Sequence, residues 1–187
     1  MILLRPATVA DATACAAIER AAFSLGARRT PDANEASIAA HRKNISRLER
    51  SNGSYLVAVE KAAVLGFAYL LPTSARPASN VYRLFIAVGL DHGDRGIGST
   101  LAAALLGWAH GNERVVKIEL IVRSTNYRAR SLYAKFGFIA EGRRRGRLCA
   151  RDGSFIDDIT MVYFPMGAAN PAPYRTRRKR RATELQQ

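Results

Sequence analysis

Three glycines lie within six positions at one point of the chain, and this spacing is the strongest chemical signal in the sequence. Gly93, Gly96 and Gly98 belong to the stretch HGDRGIGSTL, which runs directly into an apolar, helix-like segment. Glycine allows backbone N–H groups to approach a ligand closely, and a helix N-terminus attracts anions. The stretch therefore predicts a phosphate-binding turn, with a glycine turn selected only for tight packing as the alternative.

Two common nucleotide-binding motifs do not fit this stretch. A P-loop requires a lysine where this chain has Ser99, and without that lysine no side chain reaches the β- and γ-phosphates. The dinucleotide-binding fingerprint requires the order G-x-G-x-x-G, whereas the order here is G-x-x-G-x-G and follows a hairpin pattern. A pyrophosphate held by backbone amides at a strand–turn–helix junction fits the pattern better.

The glycine turn must be positioned by the strand before it and the helix after it. Apolar periodicity predicts the element order β, α, α, three strands, α, β, α, β, β, with Val81 to Val88 as the strand before the turn. Strand–helix–strand alternation predicts one parallel pair, and Asp152-Gly153 predicts a hairpin between the last two strands. The predicted fold class is a single α/β domain with a mixed, twisted sheet of about seven strands and helices on both faces.

Composition separates a domain from a basic tail. The chain has 187 residues and a net charge of +14, of which residues 167–187 carry +5. This tail is rich in Pro, Ala and Arg and is predicted to be disordered, so residues 1–166 form the predicted domain. The residues from Arg175 to Arg181 could contact nucleic acid or an acidic membrane, and a solvated tail is the alternative.

The sequence contains neither an apolar run long enough to span a membrane nor a signal peptide pattern at its start. Cys15 and Cys149 lie far apart without metal-type spacing, which predicts free thiols in a reducing compartment. We therefore expect a cytoplasmic protein without a bound metal.

Two motifs together resemble the GCN5-related N-acetyltransferase (GNAT) superfamily. The family's Gln/Arg-x-x-Gly-x-Gly/Ala signature resembles GDRGIG, from Gly93 to Gly98. The later family motif, roughly N-x-x-A-x-x-L-Y-x-K-x-G-F, resembles NYRARSLYAKFGF and matches at Asn126, Ala129, Leu132, Tyr133, Lys135, Gly137 and Phe138. The resemblance covers about residues 2–166. It departs from the family at Gly93, where Gln or Arg is usual, and we expect that side-chain contribution to be either weaker or replaced by Arg95.

The resemblance implies an acetyl-CoA-dependent N-acetyltransferase that acts on a primary amine by direct attack. The implied acceptor is an amino acid, a small amine or a protein N-terminus. Tyr133 is the implied acid that protonates the departing thiolate, with a buried core aromatic as the alternative. The implied cofactor-binding residues are Ile86, Val88, Gly93, Asp94, Arg95, Gly96, Ile97, Gly98, Ser99, Asn126 and Tyr133.

The reaction also needs a deprotonated amine. A lysine-like amine has a pKa of about 10.4, so only about one molecule in 10³ is nucleophilic at pH 7, which costs ~4–5 kcal/mol. A base would lower this cost. The candidates for that base are Glu119, Asp91 and His92.

Other polar residues have less specific interpretations. Asp157 and Asp158 could attract a cationic substrate or form a solvated pair, and Arg143 to Arg145 could meet an acidic acceptor, a CoA phosphate or solvent. His41 and His110 are predicted at a helix surface or a helix end, without a role.

Two other functional classes stay open. A nucleic-acid-associated or ribosome-associated acetyltransferase would dock through the basic tail, and its affinity would fall steeply with salt. A non-catalytic acyl-CoA sensor would bind the cofactor without transferring the acetyl group. The sequence does not distinguish a monomer from a homodimer, although C-terminal strands of the family often pair between chains.

Overall fold

The computed structural model describes residues 1–24, 38–73, 80–150 and 152–165, which form seven strands and four α-helices. The strands are β1 (Leu3–Pro6), β2 (Ser54–Glu60), β3 (Ala63–Pro72), β4 (Val81–Val88), β5 (Lys117–Arg123), β6 (Ile139–Cys149) and β7 (Phe155–Tyr163). The helices are α1 (Ala12–Ser24), α2 (Ile38–Ser51), α3 (Ile97–His110) and α4 (Tyr127–Lys135). Short 3₁₀ helices cover Val9–Asp11 and Leu90–His92.

All seven strands belong to one mixed sheet with the order β1-β2-β3-β4-β5-β7-β6. Neighbouring strands are antiparallel except for β4 and β5, which are parallel. The predicted mixed sheet and its parallel pair are therefore confirmed. Only Val81–Arg83 of β4 pair with Lys117–Glu119 of β5. Beyond these residues the two strands separate, which leaves a gap in the middle of the sheet.

The alternation of side chains along the strands gives the sheet two apolar faces. On β4, Tyr82 and Leu84 pack with residues of α3 such as Leu101. Phe85 and Ala87 belong to the other face, where they pack with the cluster that includes Cys15 of α1 and residues of α2. Helices therefore cover both faces, as the sequence predicted.

The predicted strand from Val81 to Val88 coincides with β4. The helix after the glycine turn begins two residues earlier than predicted, at Ile97 instead of Ser99. The reason is that Gly96 takes a left-handed conformation and ends the turn, so that the buried Ile97 is already part of the helix. The tail from residue 167 lies outside the described residues.

The expectation that His41 lies at a helix surface is wrong. His41 is buried in α2, where its Nδ1 shares a 2.7 Å hydrogen bond with the Tyr55 hydroxyl. Its Nε2 lies 2.8 Å from Glu19 Oε2 of α1, a contact without hydrogen-bond alignment. The periodicity of α2 did not predict that His41 is buried, because its polar partners, Tyr55 and Glu19, belong to other elements. His110 lies at the end of α3, as expected, with its Nε2 2.9 Å from the Tyr163 hydroxyl.

Candidate active site

The glycine turn joins the end of β4 to the start of α3. Gly96 has φ +73°, and an added Cβ would meet no heavy atom within 4 Å. Glycine is favoured here because the left-handed conformation strains other residues. The first N–H groups of α3 have no partner within the helix, so the turn presents unpaired donors to open space. This is the geometry of an anion-binding helix N-terminus.

A cavity of about 520 Å³ lies in front of this turn, between the end of β4, the start of α3 and one face of α4. Ten of the eleven predicted cofactor-binding residues line it: Ile86, Val88, Gly93, Asp94, Gly96, Ile97, Gly98, Ser99, Asn126 and Tyr133. The structure therefore brings the two sequence motifs together around one space.

The gap between β4 and β5 provides an extended edge beside this cavity. β4 pairs with β3 as far as Val88, but its pairing with β5 ends at Arg83. Backbone groups of the later part of β4 that face the gap therefore lack a strand partner. An extended amide chain can bind such an edge as an added strand would.

Arg95 is the predicted cofactor-binding residue that does not line the cavity. Its guanidinium donates hydrogen bonds of 3.0 and 3.1 Å to the two carboxylate oxygens of Glu60, at the end of β2. The bond from Arg95 lowers the pKa of Glu60. The charge of Arg95 is therefore paired outside the cavity.

Tyr133 is both a core aromatic and a cavity residue. Its side chain is buried with 7% exposure, and its ring centroid lies 5.7 Å from that of Phe138. It also lines the cavity. Burial raises the pKa of Tyr133 to about 12, because the charged phenolate loses its solvation. The hydroxyl is therefore protonated at neutral pH and can donate a proton.

Asn126 begins α4 and also lines the cavity. Its Oδ1 accepts a 3.0 Å hydrogen bond from the backbone N–H of Ala129. This is an N-cap, which satisfies one of the unpaired donors in the first turn. With Oδ1 engaged, the side-chain NH₂ is the group of Asn126 that can bind a ligand.

The three base candidates lie in different places. His92 lines the cavity, next to Gly89 at the end of β4. Glu119 pairs with Arg83 at 3.5 Å, where β4 and β5 are still joined. Asp91 is exposed and does not line the cavity. The structure therefore does not bring these candidates together.

The two aspartates of β7 are already paired with arginines. Asp157 accepts hydrogen bonds from Arg143 Nε at 2.5 Å and from Gly146 N at 2.7 Å, which lower its pKa, with the backbone bond as the larger cause. Asp158 lies 3.8 Å from Arg147 Nε. These carboxylates are part of the β6–β7 hairpin and do not form a free anionic site.

The sequence did not identify several residues of the cavity, among them Ala22, Arg128 and Lys135. Arg128 and Lys135 lie within the second motif, and their charge was the available signal. Ala22 comes from the end of α1, so the cavity extends to the helix that covers the opposite face of the sheet. No sequence pattern indicates that contact.

Within the described part of the chain, no helix combines the length and apolar character needed to cross a membrane. The same residues contain no cluster of three or more His, Cys, Asp or Glu side chains suited to a metal ion. Both cysteines are free thiols, Cys15 buried and Cys149 half-buried.

Comparison with known proteins agrees with this geometry. Residues 40–138 match the model of the Acetyltransferase (GNAT) family, a range that contains the glycine turn and most of the cavity lining. No curated protein sequence matches the chain.

Solved structures with the same fold include several acetyltransferases. A GNAT-family acetyltransferase from Streptococcus pneumoniae superposes with a TM-score of 0.74 at 23% identity, covering 88% of this chain and 99% of that one. A ribosomal-protein-alanine N-acetyltransferase from Brucella melitensis has a TM-score of 0.72 at 23% identity, with coverage of 87% and 99%. A phosphinothricin acetyltransferase from Sinorhizobium meliloti, in complex with acetyl-CoA, has a TM-score of 0.75 at 22% identity, with coverage of 93% and 96%.

Proposed function

The chain belongs to the acetyltransferase (GNAT) family, and we propose that it transfers the acetyl group of acetyl-CoA to a primary amine by direct attack. The observation that carries this proposal is the shared cavity. The open amides of the glycine turn, the unpaired edge of β4 and the hydroxyl-bearing Tyr133 all border one space of about 520 Å³. Together these features can bind the phosphates and the amide chain of a thioester ligand and can protonate its leaving group.

The residues of the cavity fit the pyrophosphate and the pantetheine arm of acetyl-CoA. The amides from Gly93 to Ser99 would hold the pyrophosphate, because unpaired N–H groups and the helix dipole both favour an anion. The backbone of Ile86 and Val88 and the NH₂ group of Asn126 would hold the pantetheine arm. Bound acetyl-CoA supplies the activated thioester carbonyl.

Tyr133 would supply the proton that the reaction needs on sulfur. The transfer forms an amide N–C bond, breaks the C–S bond, removes one proton from the amine and adds one to the CoA thiolate. Burial raises the Tyr133 pKa to about 12, so the phenol is still protonated when the thiolate departs. A positioned acid of this kind typically contributes about 10²–10⁴-fold to the rate.

The amine would approach through the gap between β4 and β5, from the side of α1. Ala22 lines the cavity, and the next residue, Phe23, packs against Phe85 with ring centroids 6.1 Å apart. The Arg123 guanidinium lies 5.5 Å from the Phe23 ring centroid, and burial lowers its pKa.

The charges on this side favour an acceptor that carries a carboxylate near its amine. Arg123 lies beside Phe23 and also interacts with the charge of Asp158. A smaller cavity of about 200 Å³ on the same face of the sheet is lined by Arg47 and by Arg83, of which Arg83 pairs with Glu119. Asp157 is paired with Arg143, so it offers little attraction to a polycation. Amino acids and peptide C-terminal carboxylates match this charge better than polyamines do.

The test is acetyl transfer by the full chain in an amine panel. The panel would contain amino acids, the corresponding amino acid amides, polyamines and peptides with free N-termini, with CoA thiol release and product mass as readouts. We expect transfer to at least one amine, and faster transfer to amino acids than to their amides. Tight acetyl-CoA binding without transfer to any amine would contradict the proposal and favour a non-catalytic sensor.

A further inference from the structure

The side chain of Arg128 lies beside Gly93, the position at which the family usually has Gln or Arg. Gly93 has φ −57° and ψ 161°, a backbone conformation that every residue can adopt. A Cβ at this position would lie 3.0 Å from Nη1 of Arg128 and 3.8 Å from its Cζ and Nη2. The guanidinium of Arg128 therefore occupies the space into which a side chain at position 93 would extend.

Arg128 reaches the glycine turn from the first turn of α4. Its Nη2 lies 2.9 Å from Oδ1 of Asp94, and the two side chains are 65% and 92% exposed. An ion pair this exposed contributes little to stability, because solvent screens both charges. A ligand anion can therefore replace the Asp94 carboxylate at low cost.

The cavity holds few cations for a multiply charged ligand. Among the described residues that line it, the cationic side chains are Arg128 and Lys135, at opposite ends of α4. Arg128 is the cation of the two that packs on the turn. Arg95, the cation within the turn, is paired with Glu60 instead. A guanidinium can donate two parallel hydrogen bonds to a phosphate, which makes it well suited to a pyrophosphate.

We propose that Arg128 binds the pyrophosphate of acetyl-CoA by reaching from α4 across Gly93, and that Asp94 holds Arg128 until the cofactor displaces it. The inference rests on the proposed function, because it assigns a ligand to the cavity described above. Arg128 thus supplies from α4 the charge that the sequence suggested for Arg95.

This exchange makes Asp94 a competitor of the cofactor. The phosphate must displace a carboxylate from Arg128 and then lie close to that negative charge. Asp94→Asn removes the charge and preserves the turn, because Asn also tolerates the left-handed φ of +59° found at Asp94. Acetyl-CoA affinity should therefore rise when Asp94 is neutralised and fall when Arg128 is truncated.

Calorimetric titration of the full chain tests both residues. The ligands are acetyl-CoA and acetyl-dephospho-CoA, which keeps the pyrophosphate and lacks the 3′-phosphate. Arg128→Ala should weaken both ligands by about 10-fold or more, as expected for loss of a charge-assisted hydrogen bond. Asp94→Asn should strengthen both by about 2- to 5-fold. Arg114→Ala is the matched control, because it removes the same charge just beyond the opposite end of α3 and should change neither affinity.

An arginine introduced at position 93 distinguishes the effect of the positive charge on cofactor affinity from an effect on local folding. In the Arg128→Ala background the space beside Gly93 is empty, so Gly93→Arg can be accommodated there. The double variant Gly93→Arg/Arg128→Ala should recover most of the lost affinity. Thermal unfolding of each variant without ligand checks that the fold is retained.

Three results would overturn the inference, each in a different way. Unchanged affinity in a folded Arg128→Ala variant would leave the proposed function standing and remove Arg128 from the site. A loss confined to acetyl-CoA, without loss for acetyl-dephospho-CoA, would assign Arg128 to the 3′-phosphate. Failure of the parent chain to bind either ligand would overturn the proposed function and the inference with it.

Discussion

Asn126 Oδ1 accepts a hydrogen bond of 3.0 Å from the backbone N–H of Ala129, so one atom of this side chain is committed to starting α4. The same side chain lines the cavity with its other polar atom. Asn126 therefore has two separable roles, which different substitutions can distinguish.

Substitution of Asn126 should separate helix capping from cofactor binding. Asn126→Asp keeps the capping oxygen, so the free energy of unfolding should change by less than ~0.5 kcal/mol. Asn126→Ala loses the cap and should cost about 1 kcal/mol. Both variants lose the NH₂ donor, so both should bind acetyl-CoA more weakly, and the added charge should make Asp the weaker binder. Urea unfolding and calorimetry measure the two effects, and full affinity in Asn126→Asp would contradict the assigned contact.

Removal of the Tyr133 hydroxyl should affect the rate and leave cofactor affinity nearly unchanged. Tyr133→Phe keeps the buried ring and removes the proton donor, so kcat should fall by about 100-fold, the lower part of the range for a general acid. The matched control is Tyr127→Phe, because Tyr127 lies on the same helix and is 70% exposed. Steady-state kinetics and acetyl-CoA titration check both variants, and an unchanged kcat in Tyr133→Phe would assign Tyr133 to the core alone.

The raised pKa of Tyr133 also predicts the pH dependence of the reaction. Burial shifts this pKa upward to about 12, so the phenol stays protonated throughout pH 7–10. For a lysine-like acceptor with a pKa of about 10.4, kcat/KM should rise about tenfold per pH unit as the amine loses its proton. A descending limb near pH 8–9 that disappears in Tyr133→Phe would contradict the burial of this hydroxyl.

The start of α1 should be sensitive to acid. Two 2.8 Å hydrogen bonds from Arg5 and a 2.7 Å bond from Thr8 N lower the pKa of Asp11 from 3.8 to about 2. A lowered folded-state pKa means that the stabilisation is complete above pH ~4 and is lost as the pH falls towards 2. After allowance for the partial exposure of Arg5, this contribution is about 1 kcal/mol.

Urea unfolding at pH 6 and pH 2.5 measures this contribution. The stability difference between the parent and Asp11→Asn should shrink by about 1 kcal/mol at the lower pH. Glu113→Gln, in an exposed loop, is the control and should show no such convergence. A difference that is the same at both pH values would show that Asp11 does not carry the pH-linked stability.

The sequence predicted the parts of the site that are local in the chain. β4, the glycine turn and the motif from Asn126 to Phe138 each depend on residues that are close to one another in the sequence. The left-handed conformation of Gly96 agrees with the predicted turn.

Contacts between distant residues could not be predicted in this way. Arg95 pairs with Glu60, which is 35 positions away, and Arg128 packs over Gly93 from a different helix. His41 is buried because Glu19 and Tyr55 surround it, although its helix carries many charged residues. These outcomes depend on how the elements pack, which charge and periodicity within one element do not determine.

The central claim is that the cavity at the glycine turn binds acetyl-CoA. Thermal unfolding with and without acetyl-CoA tests this claim most directly. At about 100-fold over Kd, the ligand should add ~2.7 kcal/mol of stability and raise Tm by about 5–11 °C. Gly96→Glu places a negative charge in the open space of the turn and should abolish this rise.

Gly153→Glu is the matched control, since Gly153 also has a positive φ and open space around its Cβ position, in the β6–β7 hairpin. A rise in the parent and in Gly153→Glu, but not in Gly96→Glu, is the predicted result. The absence of a rise in a folded parent chain, or an equal rise in Gly96→Glu, would contradict the assignment of this cavity to acetyl-CoA.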